Sequence, residues 1–128
     1  RALLAEEGYE DKFGGSIHQQ TAVQSELEML EAELEAARLL VYKSAWMMDN
    51  KMPNSKEASM GKAKAGRIGN RISLKCVEIC SMQGFSEGHL LEKFSRDSKI
   101  LDIFEGTQQI QQLIVARQVL GKSSQDLK

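Results

Sequence analysis

Residues 17–50 read IHQQTAVQSELEMLEAELEAARLLVYKSAWMMDN. Within them Val23, Leu27, Leu30, Leu34, Ala37, Val41, Ala45 and Met48 follow one another at intervals of four or three residues. That spacing is an almost unbroken heptad stripe, which lines up apolar side chains on one side of a helix. It predicts a long amphipathic helix beginning near Ile17. Glu26, Glu28, Glu31, Glu33 and Glu35 fall mostly off the stripe and read as its solvated face. Asp49-Asn50 and then Pro53 end it.

Beyond that stop, Ser55 is the expected N-cap of a second long helix, which runs to Gln83-Gly84. Its first half carries Ala58, Ser59, Gly61, Ala63, Ala65, Gly66 and Gly69. An interior glycine costs a helix about 1 kcal/mol relative to alanine, so such a density implies a second backbone close by. Gly61, Ala65 and Gly69, four apart on one face, are the row expected at a close helix crossing. Ile68, Ile72, Cys76 and Ile79 continue an apolar stripe. Upstream, Arg1 to Glu10 reads as the tail of a helix, and Phe13-Gly14-Gly15 as a break. Downstream, Leu90 to Phe94 makes a turn or two. Thr107 caps a last helix with Ile110, Leu113, Ile114 and the stem of Arg117 inward. Gly121 ends it, and residues 122–128 form a polar, frayed tail. The expectation is an all-α fold, an up-and-down helical bundle in a single domain over residues 1–128, because short connections favour antiparallel neighbours.

The bulk numbers narrow the functional classes. The 128 residues are enough for one core. Hydrophobic residues at 41% and charged residues at 27% are ordinary for a globular chain. A net charge of −1 offers nothing to attract nucleic acid or an anionic membrane, and no run approaches the ~20 apolar residues of a membrane span. Cys76 and Cys80 stand one helical turn apart with no other cysteine and with His18 and His89 far off, so two reduced thiols are expected and no metal site. A di-iron Glu-x-x-His pattern is absent. The N-terminus shows no signal peptide and begins on Arg1 without Met, as expected of a piece of a longer chain.

Chemistry concentrates in Asp102-Ile103-Phe104-Glu105-Gly106-Thr107. A carboxylate set between apolar residues and a glycine, at the mouth of a capped helix, can be desolvated by Ile103 and Phe104 into a useful general base. The helix start could hold an oxyanion. The plainer reading, an acid in a first turn stabilised by the helix dipole, stays open on these residues alone. Arg96-Asp97 reads as a local ion pair.

Taken in order, Arg96-Asp97-Ser98-Lys99-Ile100, Ile103-Phe104-Glu105-Gly106-Thr107, Gln109-Ile110-Gln111 and Ile114-Val115-Ala116-Arg117 resemble the C-terminal signature of acyl-CoA dehydrogenases, R-D-A-K-I and then Y-E-G-T-x-x-I-Q. Phe13-Gly14, Ala22-Val23-Gln24, Ala36-Ala37-Arg38-Leu39-Leu40 and Ala58-Ser59-Met60 match upstream, so the likeness runs from Phe13 to Leu120. The resemblance implies the C-terminal helical domain of a three-domain flavoenzyme. FAD lies against a β domain outside this chain. An acyl-CoA thioester loses its α proton to Glu105 while its β hydride passes to the flavin, leaving a trans-2-enoyl-CoA. By the same resemblance the Glu105 N–H helps polarise the thioester carbonyl and Gly106 belongs to the substrate side. Thr107, Gln109 and Phe13 touch FAD. Electrons leave to an electron-transferring flavoprotein, and subunits form a homo- or hetero-tetramer through these bundles. The expected compartment is the bacterial cytoplasm or the mitochondrial matrix. The isolated 128 residues are expected to be inactive.

The departures from the family pattern form a set. Glu10 stands for the Arg before F-G, Thr21 for the Gln after it, and Glu78, Ser81 and Met82 for the Gln and two glycines of Q-x-x-G-G. In the family these positions serve the flavin of a neighbouring subunit, and a glutamate would repel a pyrophosphate. The pattern leaves two readings: a subunit acting through Glu105, in a homomer or as half of a heteromer, and a non-catalytic bundle that supports another chain.

Overall fold

The computed structural model describes residues 1–6 and 20–127. The expected break at Phe13-Gly14-Gly15 and the helix start at Ile17 fall outside them. Five α-helices are described: α1 (Ala2–Glu6), α2 (Ala22–Asp49), α3 (Ser55–Phe85), α4 (Leu91–Asp97) and α5 (Gln108–Leu120). Short 3₁₀ segments follow α4 (Ser98–Asp102) and α5 (Ser124–Leu127), and no strand occurs among the described residues. The fold is the all-α bundle that the periodicity implies.

The first long helix begins later than its stripe suggests. Thr21 Oγ1 accepts from the Gln24 N–H at 3.1 Å, and the Gln24 side chain accepts from the Thr21 N–H at 2.8 Å. This reciprocal capping box satisfies two otherwise orphaned donors and sets the start at Ala22. The second long helix is capped at Asn54 rather than Ser55, and without a side-chain cap bond. Asn54 Nδ2 donates instead to the Ser44 carbonyl at 2.9 Å, stitching the connection to α2.

Contacts run in opposite orders along α2 and α3: Asn54 meets Ser44, Gly61 meets Leu40 and Val41, and Arg71 pairs with Glu33 at 2.6 Å. The two helices are therefore antiparallel. α5 is antiparallel to α3 as well, since the turn before it meets Lys62 whereas Gln118, near its end, lies by Ser55 and Lys56 at the start of α3. α3 is the hub, against which α1, α2, α4, the first 3₁₀ segment and α5 all pack. Its two-sided packing explains its composition, because large side chains would hold these neighbours apart.

The core is thin. Among the described residues Leu30, Ala37, Met47, Ile68 and Val77 are its buried apolar members. Leu34, Val41, Ala45 and Met48, placed inward by the heptad stripe, are exposed, and Val23 and Leu27 are half-buried. Gln24 and Met47, off the stripe, are buried instead. Among the described residues α2 packs mainly on α3, with Arg1 reaching Glu31 from the N-terminus, so they cover only a narrow strip of its surface. A polar cluster fastens the far side of α3: Ser73 Oγ lies 2.7 Å from Ser98 Oγ, and Asn70 Nδ2 donates to the same oxygen at 3.2 Å. Ser98 is buried, so these bonds satisfy a hydroxyl that water does not reach.

Within α3, a Cβ at Gly84 would strike the helix's own Val77 backbone, and the tightest approach of another segment to α3 lies off the expected Gly61-Ala65-Gly69 row. A Cβ at Gly66 would sit 2.7 Å from the Leu101 carbonyl oxygen and 3.3 Å from Asp102 Cα. At Gly61 a Cβ would meet α2 at 3.5 Å or more, and at Gly69 only Leu101 Cδ1 at 3.8 Å, both ordinary contacts. Gly66→Ala should therefore destabilise by about 1–3 kcal/mol through overpacking. Gly61→Ala should be neutral or gain up to about 1 kcal/mol of helix propensity. Urea unfolding of the two variants checks this; equal midpoints would contradict it.

Candidate functional site

The chain between the 3₁₀ segment and α5 turns in residues 103–107. The N–H groups of Ile103 and Phe104 both donate to the Ile100 carbonyl, at 3.0 and 2.9 Å, which closes the 3₁₀ segment. Glu105 then takes φ +54° and Gly106 φ +99°. A left-handed glutamate is strained by about 1–2 kcal/mol, since its Cβ crowds the following carbonyl. Gly106 disfavours a side chain through its φ, and a Cβ there would also displace Gln111 Nε2, 2.8 Å away. Thr107 Oγ1 accepts from the Ile110 N–H at 3.4 Å and caps α5, as its position implied.

Two side chains hold this turn. Gln111 Nε2 donates to the Glu105 carbonyl at 3.2 Å. From α3, Lys62 Nζ donates to the Gly106 carbonyl at 2.6 Å, and the same ammonium stands 5.9 Å from the centroid of the Phe104 ring, within cation–π range. Sequence reading named Gln111 only as the last residue of the family motif and did not single out Lys62. Lys62 sits among the small residues that drew notice, and only the chain reversal between α3 and α5 brings it to the turn.

The enclosure expected around Glu105 is not made by these residues. Glu105 is exposed, and Ile103 and Phe104 remain 49% and 46% exposed. α5 buries no residue: Ile110 and Leu113 are exposed, and Ile114 and Arg117 half-buried. Among the described residues α5 packs chiefly on α3, so much of its apolar stripe is left uncovered by them. Gly106 and Thr107 are half-buried and Gln109 is exposed, all within the same turn and helix start. Phe13 lies outside the described residues. Arg96 pairs with Glu92 through two bonds of 2.9 and 3.0 Å instead of with Asp97, because four residues along a helix bring side chains together and adjacent ones diverge. Cys76 and Cys80 are free and half-buried. Burial first, and then the neighbouring Cys80, push the Cys76 thiol up, so it stays protonated. No helix among the described residues is long and apolar enough to cross a membrane.

The turn and its helix start carry the residues on which the resemblance rests, and comparison with known proteins bears on the same stretch. A family model described as "Acyl-CoA dehydrogenase, C-terminal domain" matches residues 8–120. The chain belongs to the acyl-CoA dehydrogenase C-terminal domain family. It is 39% identical over 111 residues to the caffeyl-CoA reductase-Etf complex subunit CarC of Acetobacterium woodii, covering 87% of this chain and 29% of that protein. It is 36% identical over 108 residues to the mitochondrial short-chain specific acyl-CoA dehydrogenase of Bos taurus, covering 84% and 26%. The structure of butyryl-CoA dehydrogenase from Megasphaera elsdenii superposes with a TM-score of 0.78 at 29% identity, covering 93% of this chain and 32% of that one. The chain thus spans about a third or less of the length of the relatives it matches.

Two of the positions that depart from the pattern have local uses. Thr21 is the cap of α2. Glu78 pairs with Lys75 at 2.9 Å on the surface. Glu10 lies outside the described residues. Met82 is 85% exposed. Ser81 interrupts α3 at φ +50° and ψ −126°, ahead of the Gln83-Gly84 stop that the sequence implied. By the resemblance it takes the place of a glycine, and its backbone keeps a conformation that suits glycine. Ser81→Gly should therefore stabilise the fold, by up to about 1 kcal/mol, by relieving that strain. Urea denaturation at unchanged slope measures it; a loss of about 1 kcal/mol, as for glycine inside a regular helix, would contradict the assignment.

Proposed function

We propose that this chain is the C-terminal domain of an FAD-dependent acyl-CoA dehydrogenase, and that Glu105 is the base that removes the α proton of an acyl-CoA thioester as trans-2-enoyl-CoA forms. The observation that carries the reading is the backbone of Glu105. An acid held at φ +54° in a turn tied down from two helices is strain kept at one named carboxylate. A helix-start acid serving only the dipole needs no such conformation. Membership of the family supplies the rest.

The described residues fit one edge of FAD. Thr107 offers a hydroxyl, Gln109 a carboxamide, and the first turn of α5 carries no acid that would repel a phosphate-bearing group. Thr107 and Gln109 would hold the cofactor, with Phe13 beside them by resemblance. When bound, FAD supplies the acceptor for the β hydride. The work of this chain is at the proton: Glu105 takes it, and its own N–H, with Gly106 beside it, faces the thioester oxygen on which enolate charge grows. Cover for the exposed carboxylate comes from the rest of the full-length protein, which excludes water and strengthens the base.

The same reading gives the partners. Electrons pass on to an electron-transferring flavoprotein, in line with the Etf complex named for the CarC relative. Trp46, Met48, Val119 and Leu120, each more than half exposed, offer apolar surface for a tetramer. The compartment is the bacterial cytoplasm or the mitochondrial matrix.

In the full-length enzyme, Glu105→Gln should slow flavin reduction by acyl-CoA about 10²-fold or more while FAD content stays normal, the scale of a lost general base. Stopped-flow bleaching of the flavin reads it, and an undiminished rate would remove Glu105 from the role. The isolated 128 residues should neither retain FAD nor oxidise acyl-CoA; tight stoichiometric flavin on the purified domain would contradict the division of the site between domains.

A further inference from the structure

A lysine ammonium carries three donors on a flexible stem, and at a surface it is ordinarily left to water. Lys62 is half-buried, and its Nζ is spent on a backbone carbonyl, that of Gly106, at 2.6 Å. It lies under the Phe104 ring at 5.9 Å, so it engages residues on both sides of Glu105. The backbone between those two contacts is the strained part of the turn, φ +54° and then φ +99°. Gln111 holds the Glu105 carbonyl from α5, a helix that starts within the same turn. Lys62 is the contact that comes from the hub helix, and it sits four residues before Gly66, where the approach of the Leu101 backbone sets the height of the turn above α3.

We propose that Lys62 is a positioning residue for Glu105. Its charge-assisted bond to Gly106 and its contact with Phe104 hold the 104–107 backbone against α3, so that the Glu105 carboxylate is presented in one direction. The proposal rests on the reading of Glu105 as the base. Misplacement of a reacting group by about 1 Å can cost on the order of 10²-fold in rate, so loosening this turn should be visible in the chemical step.

The test uses the full-length, FAD-loaded enzyme with Lys62→Met, which keeps length and loses the donor, and Lys62→Arg, which keeps charge and donors. Two readouts are taken: stopped-flow flavin reduction across acyl-CoA concentrations, and hydrogen exchange of the amides of residues 104–108. Lys62→Met should slow the limiting rate of reduction about 10-fold or more. FAD content and the concentration giving half-maximal rate should hold, exchange in the turn should rise about 10-fold, and Lys62→Arg should recover much of both. A purely structural lysine would lower melting and FAD content together without this split. Unchanged exchange in Lys62→Met overturns the proposal. So does a reduction rate within about two-fold of the parent in an enzyme where Glu105→Gln has lost its rate. If Glu105→Gln keeps its rate, the base reading fails, and exchange alone decides whether Lys62 anchors the turn. Should Lys62→Met not fold, Lys62→Gln carries the same two readouts.

Discussion

At Gly66 the backbone of α3 and the backbone of Leu101 approach so closely that one methyl group would strike a carbonyl oxygen at 2.7 Å. That contact sets the rest of the site. It lets the 3₁₀ segment of residues 98–102 lie directly on α3, where Ser98 can join Ser73 and Asn70. With the segment at that height, the turn that follows comes within reach of Lys62, about one helical turn earlier on α3. α5 then starts from a fixed point and runs back along the hub. A larger residue at position 66 would raise the segment, the turn and the start of α5 together.

The local costs in this domain are of one kind. Lys51 holds positive φ in the turn that ends α2, and Glu105 and Ser81 hold it at positions of the family pattern, all three without being glycine. The latter two differ in what surrounds them. The turn at Glu105 is offset by two side-chain bonds to its carbonyls and by a capped helix. Ser81 is exposed near the end of a helix, and among the described residues no side chain is seen to hold its backbone as Lys62 and Gln111 hold the turn. Strain that the surroundings over-determine marks a place where direction matters, while strain left bare marks a substitution that the backbone merely tolerates.

Much of this was legible in the sequence. The heptad stripe placed α2, Gly121 and Thr107 bounded α5, and the ordered motifs from Arg96 to Arg117 pointed to the family. What was missed follows from information that periodicity does not carry. Thr21 was legible as a departure from a pattern, yet its use is local, a capping box with Gln24 that moves the helix start. Among the described residues the stripe overstated burial on α2, because α3, its main neighbour there, covers a narrower strip than a full bundle does. The tight spot fell at Gly66, not on the row four residues apart, because the partner there is a 3₁₀ segment and not a crossing helix. Lys62 was invisible since its partner lies on a segment that only the fold returns to it, and the expected desolvation of Glu105 needs surfaces beyond these residues.

The central claim is that the turn fixed by α3 presents Glu105 to the α carbon of an acyl-CoA. A crystal structure of the full-length protein with FAD and a non-reactive acyl-CoA thioester analogue tests it most directly. The account predicts a Glu105 carboxylate oxygen about 3–3.5 Å from the acyl α carbon, the distance of a near-attack geometry, with Lys62 still bonded to the Gly106 carbonyl. A different carboxylate at that distance, or a Glu105 side chain turned away from a well-ordered thioester, would contradict it.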